Sequence, residues 1–260
     1  MTSADISAEI ASSIRGFVAA VWQQYITRYF TVSVSDYAKL RMAIWYGFME
    51  SGKTYSDAVL EEKLKRRTPN RLYIVSNNLV YTLYEIMNNS DILRGVDYID
   101  ILFDDALILA HSMERRAVKV YTDKVLSTVR HIVSRIAGRQ RIVVALRVAT
   151  QKFTVLNPVI RNSPVIFLKS SPNDPGDVSA LTRLMKNVAG RKIVLQLLRD
   201  LTAASYIDDA YKRYAVAVVA GRAKLVVFDG LPAKPDIHHR QTQINTEEFE
   251  EVAKQLLSLL

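Results

Sequence analysis

Leu40 to Thr54 reads L-R-M-A-I-W-Y-G-F-M-E-S-G-K-T. The stretch from Leu40 to Tyr46 is apolar enough to form a short buried strand. Gly47 to Thr54 then fits G-x-x-x-x-G-K-T, and a helical pattern runs from Thr54 to Lys65. A strand, a glycine-bounded turn and a helix in that order make a cradle for phosphate. Gly47 and Gly52 let the backbone curl so that successive N–H groups face one anion. Lys53 reaches the β- and γ-phosphates, Thr54 places a hydroxyl on Mg²⁺, and the helix that opens here turns its positive end toward the same anion. The nucleotide-binding set is therefore Gly47, Glu50, Ser51, Gly52, Lys53, Thr54 and Tyr55, with Lys53 also catalytic. The bland alternative is a chance glycine turn before a surface lysine.

Such a cradle needs a carboxylate near Mg²⁺ and a group to prepare water. Tyr98 to Phe103 (Y-I-D-I-L-F) predicts a strand, and Asp104-Asp105 follow it directly. Asp104 is thus expected at the strand's C-terminal end, the edge where parallel sheets bind ligands. It is assigned to the metal with Thr54, and Asp105 to polarising the attacking water. Asp100 lies inside the strand and points elsewhere; the two aspartates could instead only cap the next helix. A fourth strand, Arg141 to Val148, runs into Ala149-Thr150-Gln151, where Gln151 can sit against the γ-phosphate.

The rest of the chain alternates in the same way. Arg71 to Ser76 and Val165 to Leu168 read as strands. Asn78 to Met87, Glu114 to Ala137, Val178 to Val188 and Lys192 to Ser205 read as helices. This alternation predicts an α/β fold with a mainly parallel sheet. Tyr214 to Val219 and Lys224 to Phe228 predict a β-hairpin, and Glu247 to Leu260 a closing helix. Ser170 to Asp177 reads as a loop, and Leu231 to Thr246 as polar and irregular. The expected organisation is an N-terminal amphipathic helix within 1–35, a nucleotide-binding domain at 36–230, and a tail with a closing helix at 231–260.

The chain has 260 residues, 49% of them apolar and 23% charged, and no cysteine. That composition suits a globular domain and excludes disulfides and thiolate metal sites. No signal-peptide pattern opens the sequence, and no stretch reads as a membrane span, so the expected location is the cytoplasm (a host's, if the chain is viral). The net charge of +9 points to a polyanionic partner. From Lys124 to Asn173 there is no acidic residue but there are nine basic ones, which matches the whole net charge. They are Lys124, Arg130, Arg135, Arg139, Arg141, Arg147, Lys152, Arg161 and Lys169. Arg130, Arg135, Arg139, Arg141 and Arg161 are candidates for nucleic-acid contact, with Arg130 and Arg161 also candidates to reach a neighbouring subunit's nucleotide. The alternative is a set of solvated arginines paired with acids from elsewhere. His238-His239 reads as a solvated pair. No N-K-x-D element is present, which favours ATP over GTP.

G-F-M-E-S-G-K-T, L-F-D-D-A, S-T-V-R-H-I-V at 127–133, and A-T-Q followed by L-N-P-V-I-R-N-S-P-V-I-F-L-K at 156–169 together resemble the FtsK/HerA-type P-loop ATPases. Within them the chain is most similar to the compact virus genome-packaging ATPases, including those of archaeal viruses. The likeness covers about residues 40–170. It implies a three-layer, additional-strand P-loop NTPase fold (RecA/FtsK-like) with strand order 5-1-4-3-2. It also implies a ring, commonly a hexamer, that moves double-stranded DNA with Mg-ATP, for genome packaging or plasmid transfer. The N-terminal helix could hold a protein partner. Asp105 departs from the family's frequent glutamate. Two other readings stand beside it. One is an AAA+ initiator or loader with Gly190-Arg191 as a lid sensor, and the other is a small-molecule kinase.

Overall fold

The computed structural model describes residues 20–104, 116–185, 188–240 and 245–260. In chain order its elements are α1 (Ala20–Phe30), β1 (Lys39–Tyr46), α2 (Lys53–Lys65), β2 (Arg71–Ser76), α3 (Leu79–Asn88) and β3 (Tyr98–Phe103). Then come α4 (Arg116–Ile136), β4 (Val143–Thr150), α5 (Pro158–Arg161), β5 (Val165–Leu168), α6 (Pro175–Leu184) and α7 (Val188–Ile207). The chain closes with β6 (Tyr214–Val219), β7 (Arg222–Val227), β8 (Ile237–His239) and α8 (Thr246–Leu257). Short 3-10 turns span Ser90–Leu93 and Asp209–Arg213.

The strands form one sheet in the order β7-β6-β5-β1-β4-β3-β2-β8. Its centre is 5-1-4-3-2, all parallel, as the resemblance implied. The β6–β7 hairpin extends the sheet antiparallel beyond β5. At the other edge β8 adds parallel to β2, pairing Ile74 with Ile237 and Ser76 with His239. This strand lies in the stretch read as irregular. No apolar run announces it. Asp236 holds it in place, because its carboxylate accepts from Tyr73 N at 2.8 Å and pairs with Lys65 Nζ at 3.0 Å. The solvated reading of the histidine pair fails for His239, whose Nδ1 lies 3.0 Å from Glu85. His238 is exposed as expected.

Both faces of the sheet are covered, so the strands read as nearly continuous apolar runs. Strand alternation sorts them: Ile44, Ile74, Ile101, Leu146 and Val148 face α3, α4 and α8 through Val125, Val129 and Phe249. Trp45, Tyr73, Leu102 and Phe167 face the other layer, α1 and α2, through Ile26, Phe30, Val59, Leu60 and Leu64. Trp45 stacks on Phe167 with ring centres 4.1 Å apart. The described part of the N-terminal helix therefore covers the core with Ile26 and Phe30, while Val21 and Tyr25 stay exposed. Among the described residues no helix is long and apolar enough to cross a membrane.

The register puts the C-terminal ends of the parallel strands at one edge, Tyr46 beside Thr150 and Leu168, and Ser76 beside Phe103. The loop 47–52, Asp104, Gln151 and Lys169 all leave the sheet from that edge.

Candidate nucleotide site

Gly47 leaves β1 with its N–H bonded to Thr150 O at 3.1 Å. A Cβ there would stand 2.6 Å from Ser51 Oγ and 2.9 Å from Lys169 Cβ, so only glycine lets the loop close. Gly52 has φ 80°, and a Cβ on it would meet the Lys212 carbonyl at 2.9 Å. α2 opens immediately after it, with Ser56 N bonded to Gly52 O at 2.9 Å. Glu50 also holds positive φ, 61°. The loop is pinned from behind where Phe48 N donates to Ser170 Oγ at 3.0 Å.

Several of these side chains converge at this edge. Thr54 Oγ1 donates to Asp104 Oδ2 at 2.9 Å. Met49, Glu50, Gly52, Lys53, Thr54, Tyr55, Asp104 and Gln151 line one cavity of about 320 Å³. Ser51 lies just beneath, its hydroxyl buried with no hydrogen-bond partner among the described residues. Lys53 Nζ donates to the loop's own carbonyls, Gly47 O at 2.8 Å and Phe48 O at 2.5 Å. Tyr55 is turned to the rim, its hydroxyl donating to Gly230 O at 3.1 Å. Asp105 lies outside the described residues.

The donor set fits the groups the motif implies. A hydroxyl and a carboxylate oxygen in contact are hard ligands of the kind Mg²⁺ takes together with phosphate oxygens. The orphaned Ser51 hydroxyl and the room kept open by the two glycines fit a phosphate chain.

Several supporting residues escaped the sequence reading. Lys169 follows the apolar run of β5 and is buried, donating to Ser56 Oγ at 2.7 Å and to the Lys212 carbonyl. Burial pushes its ammonium well below the usual lysine range, and neighbouring Lys53 pushes the same way. Asp177, inside the supposed loop, is buried near the start of α6. Its carboxylate accepts from Phe153 N at 3.1 Å and Thr154 N at 2.8 Å, which fixes the turn that carries Gln151. Burial and then Asp177 push the Tyr46 phenol up. The legible signal was position: a polar residue just past an apolar strand end, the rule that found Asp104, also picks out Lys169.

Under α2 lies a second unforeseen group. Asp57 and Glu61 from α2, Arg71 from β2, Asp100 from β3 and Arg147 from β4 are all fully buried. Asp57 accepts from Trp45 Nε1 at 2.7 Å and from Tyr73 Oη at 3.0 Å. Arg71 grips Asp100 through Nε at 2.9 Å and Nη2 at 2.8 Å. Arg147 Nη2 donates to Glu61 Oε2 at 2.8 Å. Arg147 Nε lies 3.1 Å from Asp57 and Arg71 Nε 3.4 Å from Glu61; both are ion-pair distances without hydrogen-bond alignment. Three carboxyl groups face two guanidiniums, so one proton balances the charge. Burial, then Asp100, raises Glu61 to about 7, and burial also raises Asp57.

The acid-free stretch is therefore not one surface. Arg147 and Lys169 belong to the interior. Arg130, Arg135 and Arg139 line a separate cavity at the opposite sheet edge. Arg141 pairs with Asp36 at 3.6 Å, and Arg161 ends α5. Arg191, the lid-sensor candidate, donates to Met185 O at 2.8 Å and does not line the nucleotide cavity.

No protein-family model matches the chain, and neither does any curated protein. Among solved structures it is similar to the genome packaging NTPase B204 from Sulfolobus turreted icosahedral virus 2 in complex with AMPPCP. The identity is 12%, covering 75% of this chain and 97% of that one, with a TM-score of 0.42. It is also similar to EssC (ATPases 2 and 3) from Geobacillus thermodenitrificans. There the identity is 11%, covering 84% of this chain and 44% of that one, with a TM-score of 0.35.

Proposed function

We propose that this chain is a Mg²⁺-dependent ATPase that drives movement along double-stranded DNA as part of a ring. The observation that carries the hydrolytic part is the contact of Thr54 Oγ1 with Asp104 Oδ2, 2.9 Å, at the mouth of a loop that tolerates no Cβ at Gly47 or Gly52. Backbone N–H groups of the loop and the start of α2 receive the phosphates. Lys53 exchanges its two carbonyl partners for the β- and γ-phosphate oxygens. Thr54 and Asp104 are the protein oxygens that hold Mg²⁺, which when bound neutralises charge building on the phosphates. Gln151 touches the γ-phosphate end, and Asp105 is assigned to orient the attacking water.

DNA is the polyanion proposed because the net charge is +9 and basic side chains gather away from the nucleotide. The resemblance to FtsK/HerA-type ATPases supports a ring, commonly hexameric, with genome packaging or plasmid transfer as the process served. The location proposed with this reading is the cytoplasm, a host's if the chain is viral. The outward side of α1, with exposed Val21 and Tyr25, is available to a protein partner.

The test is ATP turnover with and without duplex DNA. Wild type is expected to hydrolyse ATP faster when DNA is added, and Lys53→Ala to lose turnover by at least about 100-fold, as removal of a transition-state charge contact does. Turnover that ignores both DNA and the Lys53 substitution would overturn the reading.

A further inference from the structure

The cavity at the N-terminal edge of the sheet has no part in the nucleotide chemistry above. It is formed where the last turns of α4 meet the segments leading into β1 and β4. Its volume is about 490 Å³, and Tyr37, Ala38, Arg130, His131, Arg135 and Arg139 are among its lining residues. Among the described residues no carboxylate lines it. Two acids sit at its margins, with Asp97 3.9 Å from Arg139 and Asp36 3.6 Å from Arg141. Strand β1 separates it from Gly47, and eight extended residues span about 26 Å. These arginines therefore cannot serve the chain's own phosphate cradle.

A structural role accounts for only part of the set. Arg135, in the last turn of α4, complements that helix's negative end. Arg139 is bonded to the Val96 and Leu93 carbonyls, which holds it at the wall. Arg130 does neither; its Nε donates to His131 Nε2 at 3.1 Å. Arg130 and Arg135 are five residues apart on one helix, an axial rise of about 7.5 Å. A chain of phosphates can engage both together with Arg139 along the cavity. At the rim Tyr37 is 64% exposed, with Lys39 Nζ 5.7 Å from its ring centre. An exposed aromatic ring beside a line of cations suits a sugar or base next to a phosphate backbone.

We infer that this cavity grips the phosphate backbone of nucleic acid, with Arg130, Arg135 and Arg139 on successive phosphates and Tyr37 against the adjoining sugar or base. The assignment rests on the proposed function for the identity of the polyanion. It adds that nucleic acid and nucleotide occupy opposite ends of the same strands.

The test uses the full chain carrying Arg130→Gln and Arg135→Gln together, both outside the chain's own nucleotide cavity, at a dilution where it is monomeric so that no neighbouring subunit's arginine enters the nucleotide measurement. Binding of a fluorescent DNA duplex is titrated over a range of salt, and binding of a fluorescent ATP analogue is measured without DNA. The double variant is expected to bind DNA at least about 10-fold more weakly and to lose about two units of salt slope, one for each contact removed. Its affinity for the ATP analogue should not change. Inorganic tripolyphosphate is the competitor that separates the two sources of repeated phosphate. DNA held against excess tripolyphosphate supports the nucleic-acid assignment, and full displacement at equal phosphate concentration overturns it. If wild type binds DNA and the double variant matches it in affinity and slope, this inference fails and the ATPase reading stands. If DNA binds and the variant behaves as expected while Lys53→Ala leaves turnover intact, the reverse holds.

Discussion

Arg147 and Arg135 stand twelve residues apart in the same acid-free stretch, and they meet opposite fates. Arg147 lies in the middle of β4 with none of its side chain exposed, ringed by three carboxyl groups. Arg135 sits on the last turn of α4 and lines an open cavity. Counting charge along the chain cannot tell these apart, but the element each occupies can. A side chain on a strand covered on both faces has no route to water, so its charge must be matched inside. One on a helix end is free to turn outward and remain available to a partner. A locally basic sequence is thus two things here: a neutralised strut beneath the nucleotide helix, and a surface with acids only at its margins at the other end of the sheet.

The sharpest way to break this distinction is to remove the two arginines one at a time. Arg147→Met leaves Asp57, Glu61 and Asp100 sharing a single guanidinium. Removing one partner from a buried ionic group costs about 3–5 kcal/mol. For a domain of this size that lowers the melting temperature by roughly 6–20 °C. Arg135→Ala should stay within about 0.5 kcal/mol of wild type. Equal melting temperatures for the two variants would mean that the buried cluster contributes nothing special.

The next effect is pH dependence, which the buried cluster should show and the surface should not. Glu61 faces Arg147 from β4, Arg71 from β2, Asp100 from β3 and Asp57 on its own helix, with Tyr73 close by. Its carboxyl is raised from 4.5 to about 7, chiefly by burial. The folded state thus holds a proton that the unfolded chain has already released. This contribution is fully present below about pH 4.5 and is lost as pH rises through about 7. Unfolding experiments across that window should show wild type losing on the order of 2 kcal/mol relative to Glu61→Gln. The glutamine variant keeps the shape without titrating. Parallel curves for the two proteins would remove Glu61 as the proton holder.

The same contrast explains what could be read in advance. The strands at Arg71–Ser76 and Tyr98–Phe103 were legible to the residue, because two-sided burial writes itself as an apolar run between turn residues. The phosphate loop was legible because its glycines answer to backbone geometry alone, and Thr54 and Asp104 meet as their positions at strand and helix ends required. Asp57 and Glu61 were not, since i and i+4 acids on a helix after a phosphate loop look like its solvent face. Their partners gave the only clue: Asp100 and Arg147 each interrupt an otherwise apolar strand, and such a residue must be paired. β8 was hidden for a different reason. Three residues, Ile237–His239, carry no periodicity, and the strand exists only because β2 offers an edge and Asp236 ties the chain to it. β4 starts two residues later than its apolar pattern suggested: Ile142 N bonds back to Gln140 O in a turn, and Arg141 before it pairs with Asp36 in solvent.

The smallest expected effect concerns that last pair and tests the surface side of the comparison. Arg141 Nε and Asp36 Oδ1 are 3.6 Å apart with side chains 71% and 95% exposed. Water screens such a pair so fully that Asp36→Ala should change stability by less than about 0.5 kcal/mol. Binding is another matter. Asp36 adjoins Tyr37 at the rim of the arginine cavity, so deleting its charge raises the local positive potential and frees Arg141. Duplex DNA should then bind a few-fold more tightly at low salt, and the gain should vanish when salt shortens the reach of the missing charge. Its sign is opposite to that of Arg130→Gln with Arg135→Gln, although all three residues are surface charges whose removal should leave stability nearly unchanged. Unchanged or weaker DNA binding in Asp36→Ala would mean that the cavity's field does not govern the contact, whatever its arginines suggest.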